Sequence, residues 1–242
     1  LSNGVNTDIN RPMKYNLFLF DLDDTLLDFK ASERLSFFLA LKSLGIQSDL
    51  ENLFSQYQVV NTGLWKLFEE AKVTKEHLKV ERFRKIFEAN GLGVDPNKAS
   101  ERYLETLPET VVLMDHAVEI CEWLKGHGEI GIITNGIQTV QHQRIKNSLI
   151  APYISFISVS DECGFAKPDV RFFEYTAKKV TNFNKLSSII VGDREEADIQ
   201  GARNFGIDSC WFNPHQKISS VTVTPTYEIK HLSELKHKLT NR

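Results

Sequence analysis

The chain has 242 residues, enough for one large domain or for a core carrying an inserted module, and either can bury a substantial core. Its 29 basic and 32 acidic residues leave a formal charge of -3, which excludes a broadly basic surface for nucleic-acid polymers or anionic membranes; any phosphate recognition must be local. Three well-separated cysteines, Cys121, Cys163 and Cys210, make no Cys-x-x-Cys pair and fit structural thiols in a soluble cytoplasmic protein, and no stretch approaches the ~18 apolar residues of a membrane span.

Residues 1–12 are polar and read as a flexible extension ahead of Met13. Leu17-Phe18-Leu19-Phe20 then reads as a strand covered on both faces, as in a parallel sheet, and it ends abruptly in Asp21-Leu22-Asp23-Asp24-Thr25. Ligands of open α/β sheets sit beyond the carboxyl ends of strands, so Asp21 and Asp23 are delivered to a crevice. Their spacing lets one carboxylate attack while its neighbour handles protons or metal. Asp28 either shapes the entry to the next segment or is an exposed loop acid.

From Phe29 to Pro108 the patterns are all helical: Ser32 to Leu44, Leu50 to Val60, Leu64 to Ala71, Lys75 to Asn90 and Pro96 to Leu107. Beyond them, Ile130 to Thr134, Phe156 to Ser160, Ile189 to Gly192 and Ser209 to Phe212 are short apolar runs separated by helical segments, the alternation of a parallel sheet with right-handed crossovers. The expected fold is therefore a doubly wound α/β core over 13–28 and 109–242, with an all-helical cap inserted over 29–108 and hung across the carboxyl edge of the sheet.

Three further clusters fall at that edge. Ile132-Ile133-Thr134-Asn135-Gly136 carries a strand into a hydroxyl, an amide and a glycine, which either hold an anionic oxygen or simply cap the next helix. Lys167-Pro168-Asp169 precedes a helix expected over Val170 to Val180. Pro168 and Asp169 suit its first turn, whereas a lysine there opposes the helix dipole and is either solvated or neutralises an anionic site. Ile189-Ile190-Val191-Gly192-Asp193 again ends a strand in a carboxylate, and with Asp21 it supplies the hard oxygen ligands that Mg²⁺ prefers. Asp198 reads as a supporting group or as a helix-start acid. The seven histidines fall outside these clusters and read as surface or cap residues.

This set resembles the haloacid dehalogenase superfamily of aspartate-nucleophile hydrolases, whose four motifs match Asp21-x-Asp23-x-Thr25, Thr134, Lys167 and Asp193 with Asp198, in order over nearly the whole chain. The resemblance implies a Rossmann-like core and a Mg²⁺-dependent phosphatase, with Mn²⁺ able to substitute. Asp21 would be the nucleophile and form an aspartyl-phosphate. Asp23 would be the acid and base, and its main-chain carbonyl a metal ligand beside Asp21 and Asp193. Thr134, the Asn135 N–H and Lys167 would bind the phosphoryl group, and Asp198 would ligate the metal or support the ligands. Arg194 departs from the small or acidic residue usual after the fourth-motif aspartate; it points outward, pairs with a neighbouring glutamate, or contacts substrate.

Within the cap, Trp65 and Phe68 share a helix face, which is either packing or a ligand platform, and Arg82-Phe83 repeats the mixture of charge and aromatic. Leu64 to Phe83 and the stretch Phe20 to Asp28 are similar to the cytosolic pyrimidine 5′-nucleotidases. That similarity implies a small phosphorylated metabolite as the partner, a nucleoside 5′-monophosphate, with Trp65, Phe68, Arg82 and Phe83 contacting the base or phosphate. A phosphatase or mutase for a sugar phosphate or phosphoglycolate is the alternative, and a metal-free haloacid dehalogenase a more distant one.

Overall fold

A computed structural model of the chain describes residues 13–47, 49–219 and 222–240, so the extension expected over 1–12 lies outside the described residues. In chain order the elements are β1 (Leu17–Phe20), α1 (Phe29–Ser43), α2 (Leu50–Glu69), α3 (Lys75–Ala89), α4 (Pro96–Thr106), α5 (Ala117–Lys125), β2 (Glu129–Thr134) and α6 (Gln138–Lys146). They continue with β3 (Phe156–Val159), α7 (Ser160–Cys163), α8 (Val170–Ala177), β4 (Ser188–Gly192), α9 (Gln200–Phe205), β5 (Asp208–Phe212), β6 (Tyr227–Ile229) and α10 (Glu234–Thr240).

The strands form one parallel sheet in the order β3-β2-β1-β4-β5-β6. The chain builds outward from β1 in both directions, and the reversal beside β1 opens a crevice at the carboxyl edge. Register makes that edge level: Phe20 pairs with Ile132 and Val191, so Asp21, Thr134 and Asp193 all follow within a few residues. Side chains alternate between faces with the strand period. Phe18, Phe20, Ile130, Ile132, Ile189 and Val191 pack with α5 and α10, while Leu17, Leu19, Ile133 and Ile190 pack against Phe172 and Phe173 of α8 and Phe205 of α9. Cys121 and Cys210 are buried free thiols in the first of these layers. Among the described residues no helix is long and apolar enough to cross a membrane.

Helices α1 to α4 pack around a cluster of their own that includes Phe37, Phe54, Tyr57, Phe83, Phe87 and Tyr103. Two helices expected over Leu50 to Ala71 are one, α2, because Gly63 lies on its exposed side, where its missing side chain leaves no hole. Helix α1 starts earlier than its apolar pattern, since the Asp28 carboxylate accepts from Ala31 N–H at 2.9 Å and caps it. Helix α8 stops short of Val180, Pro168 lies outside it ahead of the capping residue Asp169, and Ser160 opens α7 instead of ending β3. The edge strand β6 was not anticipated, being only three residues long and carrying a glutamate. The chain leaves the core and returns to it side by side: Leu27 and Leu113 form an antiparallel bridge, flanked by Asp28 N–H to Val112 O (2.9 Å) and Met114 N–H to Leu26 O (3.0 Å).

Phe83 is the centre of the helical cluster, fully buried with ring centroids 5.4 Å from Tyr57, 5.7 Å from Tyr103 and 6.0 Å from Phe87. Truncating it removes those contacts and leaves a cavity, so Phe83→Ala should cost about 3–5 kcal/mol. Hydrogen exchange should quicken across α1 to α4 and stay slow in β1, β2 and β4. Unchanged protection in the four helices would contradict this account of the packing.

Candidate active site

Asp21 leaves the end of β1 with its N–H bonded to Val191 O at 2.9 Å, which fixes its side chain over the crevice. Lys167 Nζ donates to Asp21 Oδ1 (2.6 Å), Asp198 Oδ1 (2.7 Å) and Ile133 O (2.9 Å), so its three donors are all engaged. Lys167 is itself placed by Asn135, whose amide donates to Lys167 O at 3.0 Å and accepts from Lys167 N–H at 2.8 Å. The Asn135 side chain thus positions the lysine and is not free to bind phosphate. Burial alone works against the ammonium, but Asp198 and Asp21 beside it raise its pKa. Asp21 goes the opposite way from a surface carboxylate: burial raises its pKa well above the ordinary value, Lys167 offsets part of this, and Asp198, Asp193 and Asp23 add to it.

Asp193 follows β4. Burial, with Asp198 and Asp24 nearby, pushes it up to about 7. The loop is held by Trp211 Nε1, which donates to Asp193 O at 3.0 Å. Asp198 is fully buried in a π-helical turn, Glu195–Ile199, with Oδ1 taken by Lys167 and Oδ2 by Arg194 N–H at 3.1 Å. Gly192 makes room for it, since a Cβ there would stand 2.2 Å from Asp198 Oδ2. Asp21, Asp193 and Asp198 each offer a carboxylate oxygen within 4.8 Å of the others. Lys167 offsets only part of this desolvated negative charge, and the donors are hard oxygens, so the cluster fits a divalent cation of the Mg²⁺ type.

Thr134 ends β2 with its hydroxyl oxygen accepting from Gly136 N–H (3.1 Å) and from Gln141 Nε2 (2.9 Å). With both lone pairs occupied, the O–H is left to donate into the crevice. Asp23 lies half-buried beside it, held by Gln141 and Arg144 of α6. Sequence reading missed both. The signal available was that α6 carries only Val140 and Ile145 as buried apolar residues, so part of its inward face had to be polar.

Helices α2 and α3 lie across this edge. Lys75, at the start of α3, donates to Gly136 O (2.6 Å), Ser160 Oγ (2.9 Å) and Asp161 Oδ1 (2.6 Å), and its ammonium stands 5.0 Å from the Phe68 ring. Arg194 pairs in a two-toothed contact with Glu69 at the end of α2. Trp65, one turn before Glu69 on the same face, is half-buried and meets Phe68 edge-on at 5.7 Å. Two expected substrate contacts fall elsewhere. Phe83 is interior packing, because its ring is enclosed by the helical core, and Arg82 is buried beneath the surface among Tyr57, Phe83 and Tyr103.

The model of the haloacid dehalogenase-like hydrolases matches residues 18–212. The chain is 35% identical to the HAD-hydrolase YfnB of Bacillus subtilis over 93% of its own length and 96% of that protein. The YfnB crystal structure, bound to magnesium and described as revealing interdomain movement, aligns with a TM-score of 0.87 over 94% of this chain and 100% of that one. Identity is 33% to the pyrimidine 5′-nucleotidase PynA of Streptococcus pneumoniae, covering 92% and 94% of the two chains. It is 31% to the pyrimidine 5′-nucleotidase YjjG of Escherichia coli, covering 94% and 99%.

Arg82 is linked to Glu33 through Asn61: Arg82 Nη1 donates to Asn61 Oδ1 at 3.2 Å, and Asn61 Nδ2 donates to Glu33 Oε1 at 2.8 Å. Burial pushes the Glu33 carboxyl up to about 7, against the pull of Arg82 and helped by Asp24. A carboxyl whose pKa is higher folded than unfolded costs nothing while protonated in both states, and its cost grows as pH rises through about 7. Glu33→Gln removes that cost. The stability of the variant relative to the wild type should therefore rise between pH 5 and pH 8 by at most about 3 kcal/mol. Paired urea titrations at the two pH values measure it, and a difference that does not change with pH would refute the assignment.

Proposed function

The chain belongs to the haloacid dehalogenase-like hydrolases, and from that premise we propose that it is a Mg²⁺-dependent phosphomonoesterase acting on nucleoside 5′-monophosphates, pyrimidine nucleotides foremost. The observation that carries the reading is the pair of carboxylates at the end of β1, with Asp21 gripped by Lys167 and Asp23 turned to α6. A phosphate ester needs both a nucleophile and a group to protonate its alkoxide, whereas displacing a halide needs only the first.

In this reading one oxygen of Asp21 bonds to phosphorus as the ester bond breaks in line. Asp23 gives its proton to the departing oxygen and then takes one from the water that hydrolyses the aspartyl-phosphate, so one difficult step becomes two easier ones. The Thr134 hydroxyl, the Asn135 N–H and the Lys167 ammonium are fixed before substrate arrives and stabilise charge on the transferring oxygens. The carboxylates of Asp21 and Asp193 with the Asp23 carbonyl would hold Mg²⁺, or Mn²⁺ in its place, which when bound supplies positive charge to the phosphoryl oxygens. Helices α1 to α4 act as the cap. Trp65 is its stacking platform.

A panel of phosphate monoesters tests the reading. The highest kcat/KM should go to a pyrimidine nucleoside 5′-monophosphate, with activity lost on chelation, restored by Mg²⁺, and at least ~10³-fold lower in Asp21→Asn. Loss of a base stack is worth ~1–3 kcal/mol, so Trp65→Ala should lower kcat/KM for the nucleotide roughly 5- to 150-fold and spare a small aryl phosphate. A panel won by a sugar phosphate or phosphoglycolate would move the assignment to that class.

A further inference from the structure

Asp23 does not stand free at the mouth of the site. Its Oδ2 accepts from Gln141 Nε2 at 2.6 Å, and its Oδ1 is paired with Arg144 Nη1. The two partners are locked to each other, since Arg144 Nη1 also donates to Gln141 Oε1 at 3.0 Å, which fixes the orientation of the amide. The Arg144 side chain is 0% exposed, its guanidinium carbon 5.2 Å from the Phe29 ring centre. Desolvating a guanidinium is costly unless its donors are satisfied. An arginine kept only for the architecture would spread its five donors over the surrounding backbone, yet Nε and Nη2 of Arg144 have no partner among the described residues. The turn before α6 is shaped to the same end: a Cβ on Gly136 would stand 2.3 Å from Gln141 Nε2 and push the amide off Asp23.

We propose that Gln141 and Arg144 are positioning residues that hold the Asp23 carboxylate for proton transfer to and from the reacting oxygens. The inference rests on the phosphomonoesterase reading. In the first step the Asp21 oxygen bonds to phosphorus, the phosphorus–oxygen bond to the leaving group breaks, and the Asp23 proton goes to the departing oxygen. The carboxylate left behind is the anion that the Gln141 amide and the Arg144 guanidinium stabilise. In the second step a water proton passes to Asp23, the water oxygen bonds to phosphorus, and the bond to Asp21 breaks. Gln141 also touches Thr134, so one side chain aligns the acid with the phosphoryl-binding hydroxyl.

Leaving-group dependence separates this role from a structural one. An alkoxide needs protonation as it leaves and 4-nitrophenolate does not, so the readout is the ratio of kcat/KM for a nucleoside 5′-monophosphate to that for 4-nitrophenyl phosphate. Arg144→Met should lower the ratio about 10- to 100-fold, a part of the roughly 10²- to 10⁴-fold that a positioned general acid contributes. Arg144→Lys should recover most of it. In an Asp23→Asn background, where there is no acid left to place, Arg144→Met should leave the ratio unchanged. Parallel losses on both esters, or a further drop in that background, would overturn the proposal. Should Arg144→Met fail to fold, Gln141→Leu in the same two backgrounds carries the test with the same outcomes. Wild-type inactivity on both esters would overturn the phosphomonoesterase reading and this inference together; wild-type activity with parallel losses overturns this inference alone.

Discussion

A buried ammonium shared between two buried carboxylates governs the rest of this molecule. Lys167 sits between Asp21 and Asp198 at the end of β1, and none of the three could stay charged there alone. Much of the surrounding design serves to keep the three in register. Asn135 clamps the lysine backbone from both sides, Gly192 leaves the space that Asp198 fills, and parallel pairing of β1 with β2 and β4 brings their ends level. The apolar layers on both faces of the sheet do not take part in the chemistry, but they exclude the water that would screen the charges.

The helical unit is joined to that cluster through the same kind of contact. Arg194 gives its N–H to Asp198 and its guanidinium to Glu69 of α2, so a single residue bridges the charged centre and the helices above it. On the other side Lys75 reaches down to Gly136 O and Asp161 at the ends of β2 and β3. Between these two anchors lie Trp65 and Phe68. The division is physical: the charged groups belong to strand ends held level in one sheet, and Trp65 and Phe68 to a helix of the separately packed helical cluster.

What the amino-acid order makes legible is the sheet edge. Short apolar runs ending in Asp21, Thr134 and Asp193 announce both strands and crevice, because a strand buried on both faces has little room for polar residues until it ends. Lys167 was visible as a cation placed against a helix dipole. Tertiary pairing is what such patterns do not carry. Phe83 and Trp65 look alike in a helical pattern, and only the helix each one faces makes the first interior and leaves the second half-exposed. Gln141, Arg144, Lys75 and Glu69 were unreadable for a related cause: a polar side chain in a helix reads as solvated until a distant partner, here Asp23, Asp161 or Arg194, accounts for its burial.

The ribbon formed by Leu27 and Leu113 constrains how the helices can behave as a body. Outgoing and returning chains are tied to each other by Asp28 with Val112 and by Leu26 with Met114, so the attachment acts as an axle and not as two independent tethers. Rocking about that axle leaves those bonds intact; sliding along the sheet or turning about its normal would break them. The axle also emerges from the loop that carries Asp23 and Thr25. Load carried by the ribbon is therefore delivered to the Asp23 side of the crevice, while the Asp198 and Lys167 side is coupled to the helices through Arg194 and Glu69.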